Sequence, residues 1–163
     1  MQNRGGFNLK KFILVLIGLV PLMALGYLLH YLILTVFSHT LPPFLFISVA
    51  TLVIWLAFGM ISKLLVSSKW LALILLNAPA FVILLLVIIQ DVILQGFWLN
   101  IIGLSTQIFY LPLIRLSTVL GGFLPFQMIT MTLIFTISFI LLILASWIGR
   151  NAGERVGTKT KEI

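Results

Sequence analysis

Few side chains in this sequence could carry acid–base or ligand-binding chemistry. His30 and Asp91 are titratable groups at the ends of long apolar runs, and Arg115 lies in a connection between two such runs. Ionisable residues in or beside a membrane span are energetically expensive and commonly mark a functional site. If the three lie at one membrane face, they predict a polar cluster at the outer leaflet. Such a cluster could relay a proton or hold a cationic ligand.

The same three residues also have a purely structural interpretation, which we favour. Asp91 would pair with Arg115 and hold the connecting segment in place, while His30 would bond to a backbone carbonyl or a lipid headgroup. Asp91 is the only acid outside the C-terminal tail at 150–163, so a pair of catalytic carboxylates cannot be assembled. Because the chain has no cysteine, Cys-ligated metals and thiol catalysis are excluded. No catalytic residue, metal site or cofactor is predicted.

Two further patterns concern helix geometry. Pro79 lies inside an apolar run and lacks an N–H, so it predicts a kink, and Asn77 beside it could supply an interhelical hydrogen bond. A broken helix can also form a binding site in transporters, but kinks that only serve packing are more common. Ala145 and Gly149 form a small-xxx-small pair that favours close approach of another helix.

The composition decides the environment of these residues. Of 163 residues, 62% are hydrophobic and only 8% are charged, whereas soluble domains average about 25% charged residues. A chain of this length cannot bury so much apolar surface in a core of its own. The bilayer is therefore the predicted solvent. The net charge of +7 is predicted to face lipid headgroups and not nucleic acid.

Four runs are long enough to cross a hydrocarbon core of about 30 Å. They cover about residues 12–37, 44–61, 70–89 and 126–148. The predicted fold is an all-α integral membrane protein, a single polytopic domain over residues 1–163. Its four transmembrane helices form an antiparallel bundle, with an additional interfacial or re-entrant helix at about residues 92–118, in the outer loop between helices 3 and 4.

That outer segment is too apolar to lie in water. Gly96, Asn100, Gly103 and Gln107 recur at helical spacing and predict a helix with one small and polar stripe. It could lie flat in the interface or dip in and out of the membrane. A fifth full crossing is disfavoured because it would place the basic end of the chain outside, against the charge rule.

The basic residues give the orientation. With four spans, nine of the ten Lys and Arg residues fall on one side, and Arg115 is the exception. Both termini should therefore be cytoplasmic, in what we expect to be a bacterial cytoplasmic membrane, with a polar, disordered tail at 150–163. An alternative is that the first apolar run is a cleaved signal peptide with Ala24-Leu25-Gly26 as its site. The length of the run, to Phe37, argues against cleavage.

Three functions remain open. The favoured one is a non-enzymatic accessory, regulatory or immunity-type protein that acts through helix–helix contacts with a membrane partner. The second is a small oligomeric transporter or channel that uses the outer-leaflet polar site. The third is a lipid-modifying enzyme with His30 and Asp91 as acid and base, which is disfavoured because the other expected catalytic groups are missing.

Overall fold

The computed structural model describes residues 6–37, 43–123 and 130–159, which are helical almost throughout and contain no β-strand. In chain order the elements are α1 (Gly6–Thr35), α2 (Phe44–Leu65), α3 (Lys69–Ile88), a π-helical turn (Ile89–Ile93), α4 (Ile101–Phe109), a 3-10 turn (Leu111–Leu113), α5 (Ile114–Gly121) and α6 (Met131–Lys159). The prediction of an all-α protein is confirmed for these residues.

Within the described residues, five stretches of helix are long and apolar enough to cross a membrane: Leu9–Thr35, Phe44–Leu65, Lys69–Ile93, Ile101–Gly121 and Met131–Arg155. A multi-pass membrane protein is therefore consistent with the fold. Four of the five correspond to the predicted spans, and the fourth in chain order falls in the segment predicted as interfacial or re-entrant. The first residues of the last predicted span, 126–129, lie outside the described residues, as do residues 160–163 of the predicted tail.

α2 and α6 run in the same direction and approach each other closely. A Cβ added at Gly149 would collide with the carbonyl of Leu56, and one turn further along both helices a Cβ at Gly153 would press on Met60. Contacts whose residue numbers rise together mark a parallel pair. Glycine permits such an approach because it brings no side chain between the backbones.

α3 runs opposite to α6. Asn77 in the first half of α3 bonds to Ser146 in the second half of the membrane-length part of α6, while Asp91 just beyond α3 bonds to Thr132 at the start of α6. Residue numbers that rise on one helix and fall on the other mark an antiparallel pair. The end of α3 and the beginning of α6 therefore lie at the same end of the bundle.

α1 packs on α3 through a single seam. Leu14, Gly18, Leu22 and Gly26 are buried at four-residue spacing, while most of the other α1 side chains are at least partly exposed. Backbones approach closely at Gly18, which meets Leu76, and at Gly26, which meets Ile108 of α4. α1 is thus a peripheral helix whose remaining surface is apolar.

Residues 89–123 form a broken helical segment and not the single striped helix predicted from the sequence. α4 starts at Ile101 because the Asn100 side chain accepts a hydrogen bond from the Gly103 N–H at 2.9 Å, a standard N-cap. Pro112 then lies in the 3-10 turn, and α5 follows. Between α4 and the 3-10 turn lies the fully buried Tyr110, whose hydroxyl donates to the carbonyl of Ala80, in the middle of α3, at 2.6 Å.

The prediction of a disordered tail from residue 150 is wrong for residues 150–159, because α6 continues to Lys159. Contacts with the end of α2 and the start of α3 support the extension: Lys63 donates to the Gly153 carbonyl, and Lys69 donates to the Asn151 side chain. Arg150 and Glu154 add an ion pair one turn apart along the helix.

Candidate functional site

His30 lines a cavity of about 180 Å³ at the end of the bundle where α3 finishes and α6 starts. It is half-buried and shares the cavity with Gln107 of α4. Neither side chain has a hydrogen-bond partner among the described residues, so both can bind a polar solute or water. The other lining residues are apolar: Phe97, Leu104, Ile108, Leu111, Ile114, Met131 and Phe135.

Asp91 has a structural role, which differs from that of His30. Its Oδ2 accepts hydrogen bonds from the backbone N–H of Thr132 at 3.0 Å and from the Thr132 hydroxyl at 2.6 Å. A carboxylate at a helix N-terminus is stabilised by free N–H groups and by the helix dipole. Asp91 therefore joins the start of α6 to the end of α3 through its Oδ2 atom.

Arg115 lies apart from both His30 and Asp91. It is exposed on α5, in an open groove of about 740 Å³ that α5 forms with residues 43–46 at the start of α2. No hydrogen bond or ion pair joins Arg115 to Asp91 or His30 within the described ranges. The three residues predicted as one outer-face cluster occupy three separate surroundings, so their joint chemistry is not assembled in this conformation.

Asn77 holds three helices together in the half of the bundle towards the start of α3. Its Nδ2 donates to the hydroxyl of Ser146 on α6 and to the Leu73 carbonyl one turn back, both at 2.9 Å. Its Oδ1 accepts from the indole N–H of Trp55 on α2 at 3.2 Å. α3 continues through the buried Pro79, whose ring lies beside Gly18 of α1. A kink at Pro79 stays a prediction.

Other hydrogen bonds tie the 89–123 segment to the long helices. Gln90 is fully buried and bonds to the Thr106 hydroxyl and to the Trp98 N–H. The hydroxyls of Ser117 and Ser138 lie 2.7 Å apart, joining α5 to α6. These contacts attach α4 to the turn after α3 and α5 to α6. Sequence reasoning missed Gln90, although an amide inside an apolar run was a signal that could have been used.

Arg150 was also missed as a structural residue, since its place after an apolar run suggested only a topological role. It is buried, and it donates to the carbonyls of Val66 at 3.0 Å and Ser67 at 2.8 Å, just beyond α2. Ala145 and Gly149, the predicted packing pair, lie one turn apart on α6, where its apolar run ends. Ala145 is in the hydrophobic core, and Gly149 faces Leu56 of α2.

Every buried polar side-chain atom in the described part of the chain has a hydrogen-bond partner within the protein. The same residues contain no group of three or more His, Cys, Asp or Glu side chains that could hold a metal ion. Buried polar atoms left unpaired are the usual mark of a missing ligand. Comparison of the chain with known protein families, with characterised proteins and with solved structures gives no match.

Proposed function

We propose that this protein is a non-enzymatic accessory, regulatory or immunity-type protein that acts by binding a membrane partner through helix–helix contacts. The observation that carries the proposal is the complete internal pairing of buried polar atoms in the described residues. An acid–base mechanism would need His30 and Asp91 together, whereas Asp91 is bonded to Thr132. What the bundle does present to its surroundings is apolar helix surface.

The proposal includes four crossings, with residues 89–123 entering and leaving the membrane at the outer face. Two facts support this topology. The end of α3 and the start of α6 are joined by the Asp91–Thr132 bonds, so the intervening segment must return to the end it left. Because Tyr110 reaches the carbonyl of Ala80 in the middle of α3, a re-entrant path fits better than one lying flat in the interface.

The proposed orientation places the opposite end of the bundle in the cytoplasm of a bacterial cell. That end carries seven basic residues of the described chain, whereas the 89–123 segment carries Arg115 alone. The seven are Lys10, Lys11, Lys63, Lys69, Arg150, Arg155 and Lys159. Lys and Arg accumulate in short cytoplasmic loops of multi-pass proteins. Both ends of the chain would then be cytoplasmic.

The partner surface that we propose is the outward side of α2. Ala50, Ile54, Ala57 and Ile61 follow the four–three–four spacing of a helix-pairing seam, and all four are at least partly exposed. This seam lies opposite the buried side of α2, which carries Trp55 and Gly59. Small residues alternate with branched ones, so a partner helix could approach closely at the alanines. We call these four residues the α2 seam.

A tagged pull-down from native membranes in mild detergent tests the proposal. We expect a stoichiometric membrane protein to co-purify with the wild-type chain and to be lost with Ala57→Leu, which fills the α2 seam. The matched control is Ala78→Leu, the same change on the outward side of α3, which should retain the partner. Isolation of a solitary chain under all mild conditions, or equal recovery of the partner with both variants, would contradict the proposal.

A second candidate function, a small oligomeric transporter or channel, is favoured by one observation. His30 and Gln107 share an outer cavity and lack hydrogen-bond partners among the described residues. If solute passes through this cavity, His30→Ala and Gln107→Ala should each reduce flux in proteoliposomes, whereas Arg115→Gln, in the separate groove, should not. Unchanged flux in both cavity variants would dismiss the cavity as a transport site.

A further inference from the structure

An apolar groove runs along the outside of the bundle between α3 and α6. Its volume is about 370 Å³, and four aromatic side chains stand along it: Trp70 and Trp147 towards the end with the basic residues, and Phe81 and Phe139 towards the middle. Ala78 forms part of its floor. Asn77 also lines the groove, but its amide is already bonded to Trp55, Ser146 and the Leu73 carbonyl. The groove therefore offers carbon surface to an occupant.

A cation stands at one end of this groove. The Nζ atom of Lys69 lies 5.5 Å from the centre of the Trp147 ring and 6.0 Å from that of Trp70. The ammonium group donates one hydrogen bond to the side chain of Asn151. Since a lysine ammonium has three donors, two more can bind an anion at the mouth of the groove.

We propose that this groove is a binding site for one anionic phospholipid. The phosphate would bind Lys69 between the two tryptophan rings, and one acyl chain would lie along the groove towards Phe81 and Phe139. From Trp70 to Phe81 the helix rises by about 16 Å at 1.5 Å per residue. This matches the depth of one leaflet, about half of the 30 Å hydrocarbon core. The inference relies on the chain spanning a membrane, but not on the proposed partner.

The cation at the mouth of the groove and the apolar shape of the groove together favour an anionic phospholipid as the occupant. A partner helix would bring no group that needs a cation at the mouth of the groove, whereas an anionic headgroup does. Basic pockets between membrane helices bind anionic headgroups, and tryptophan rings favour the depth at which headgroups begin. A zwitterionic lipid would fit the groove equally well, but its own cation would gain nothing from Lys69.

Native mass spectrometry of the full chain, purified from nanodiscs made with equal amounts of phosphatidylglycerol and phosphatidylcholine, tests the proposal. We expect one retained lipid per chain, with phosphatidylglycerol preferred. Lys69→Gln should reduce that preference by about fivefold. Lys63→Gln is the matched control, because Lys63 lies at the same end but bonds to the Gly153 carbonyl and is not at the groove. Equal effects of the two substitutions would overturn the proposal.

A second pair of variants tests the groove without touching charge. Ala78→Leu fills its floor and should abolish retention of either lipid, whereas Ala57→Leu on α2 should leave retention unchanged. Lipid retained by Ala78→Leu would overturn the site. So would a dimer that Ala78→Leu converts to a monomer, because the occupant would then be a second copy of the chain. Loss of a protein partner with Ala57→Leu concerns only the proposed function, so the two failures are distinguishable.

Discussion

Arg150 is a charged side chain with only 1% of its surface exposed. A buried guanidinium is tolerated where its donors find acceptors, and here they reach the carbonyls of Val66 and Ser67 and the Glu154 carboxylate. The two carbonyls belong to the residues that follow α2, where the negative end of the helix dipole favours a cation. Arg150 therefore joins α6 to the end of α2.

Replacing Arg150 by Met should destabilise the folded protein by about 2–3 kcal/mol, the usual cost of losing hydrogen bonds to a charged group. Arg150→Lys should recover only part of this, because an ammonium cannot present two parallel donors to neighbouring carbonyls. Unfolding by SDS in mixed micelles, followed by circular dichroism, measures both. Arg115→Met, at an exposed position, serves as the control and should change stability by less than about 0.5 kcal/mol. A similar loss for both arginines would disprove the structural role.

Sequence reasoning located some of these residues but not their partners. Asn77 stands out as an amide inside an apolar run, and hydrogen bonding across helices is the natural expectation for it. The expected Asp91–Arg115 pairing is absent within the described residues, because Asp91 finds two donors on Thr132. Helix N-termini compete well for carboxylates, since their N–H groups are otherwise unpaired. Residue types and their spacing cannot show whether Asp91 pairs with Arg115 or with the start of α6.

At the scale of elements, the parallel pair α2 and α6 depends on glycine. Gly59 meets the backbone of Ser146, and Gly149 meets that of Leu56, so each helix contributes a glycine to the contact. Only Gly149 was recognised in the sequence as a close-approach position, through its spacing from Ala145. Gly59 has no small neighbour at that spacing, so the motif did not reveal it.

Gly149→Ala should therefore destabilise the α2–α6 contact by about 1–3 kcal/mol, the usual cost of overpacking. Gly153→Ala should cost less, because its Cβ would lie 3.2 Å from the Met60 carbonyl oxygen and a small shift relieves the contact. Gly122→Ala, where the nearest atom is at 3.4 Å, should be close to neutral. The same SDS titration ranks the three, and any other order would argue against this helix contact.

The 89–123 segment has some features that the sequence could predict and others that it could not. Its apolar character and its length were sufficient to predict helix near the outer face. The break at residues 94–100, the Asn100 cap and the 3-10 turn at Pro112 divide that helix into two arms. Asn100 and Pro112 were both readable as boundary signals. The hydrogen bond from Tyr110 to the Ala80 carbonyl could not be predicted, because a backbone acceptor in another helix is not specified by any residue type.

For the whole molecule, the proposed topology can be tested with single cysteines, since the chain has none of its own. Gly96→Cys and Phe123→Cys lie on either side of the 101–121 stretch at exposed positions. In intact cells both should react with a membrane-impermeant maleimide, because the segment returns to the face it left. Ser68→Cys, in the exposed connection between α2 and α3, should react only after permeabilisation.

Labelling of Gly96→Cys and Phe123→Cys from opposite sides would mean that residues 101–121 cross the membrane. The re-entrant topology would then be wrong. Labelling of all three positions in intact cells would instead point to leakage or misinsertion, and a cytosolic marker protein with an exposed cysteine tests for leakage in the same experiment.

The helical membrane class follows from composition alone, since apolar runs of this length have few other solutions. Helix ends are harder to predict, because they depend on contacts beyond the apolar run. α2 extends to Leu65 and α6 to Lys159, past the predicted ends at 61 and 148. Both extensions make side-chain hydrogen bonds: Arg150 donates to the Ser62 hydroxyl of α2, while Lys63 and Lys69 donate to Gly153 and Asn151 of α6. Hydropathy does not reveal these contacts, so it predicts helix ends that are too early.

The hydrogen bonds from Arg150 to the residues after α2 can form only late in the synthesis of the chain. Val66 and Arg150 are separated by 84 positions in the chain, and a ribosome adds about 5–20 residues per second. For on the order of 4–17 s the carbonyls after α2 must find other hydrogen-bond partners while α3 and the 89–123 segment are made. Only arrival of residue 150 completes the bundle, so a chain stalled before that point would expose an unfinished end to the quality-control machinery.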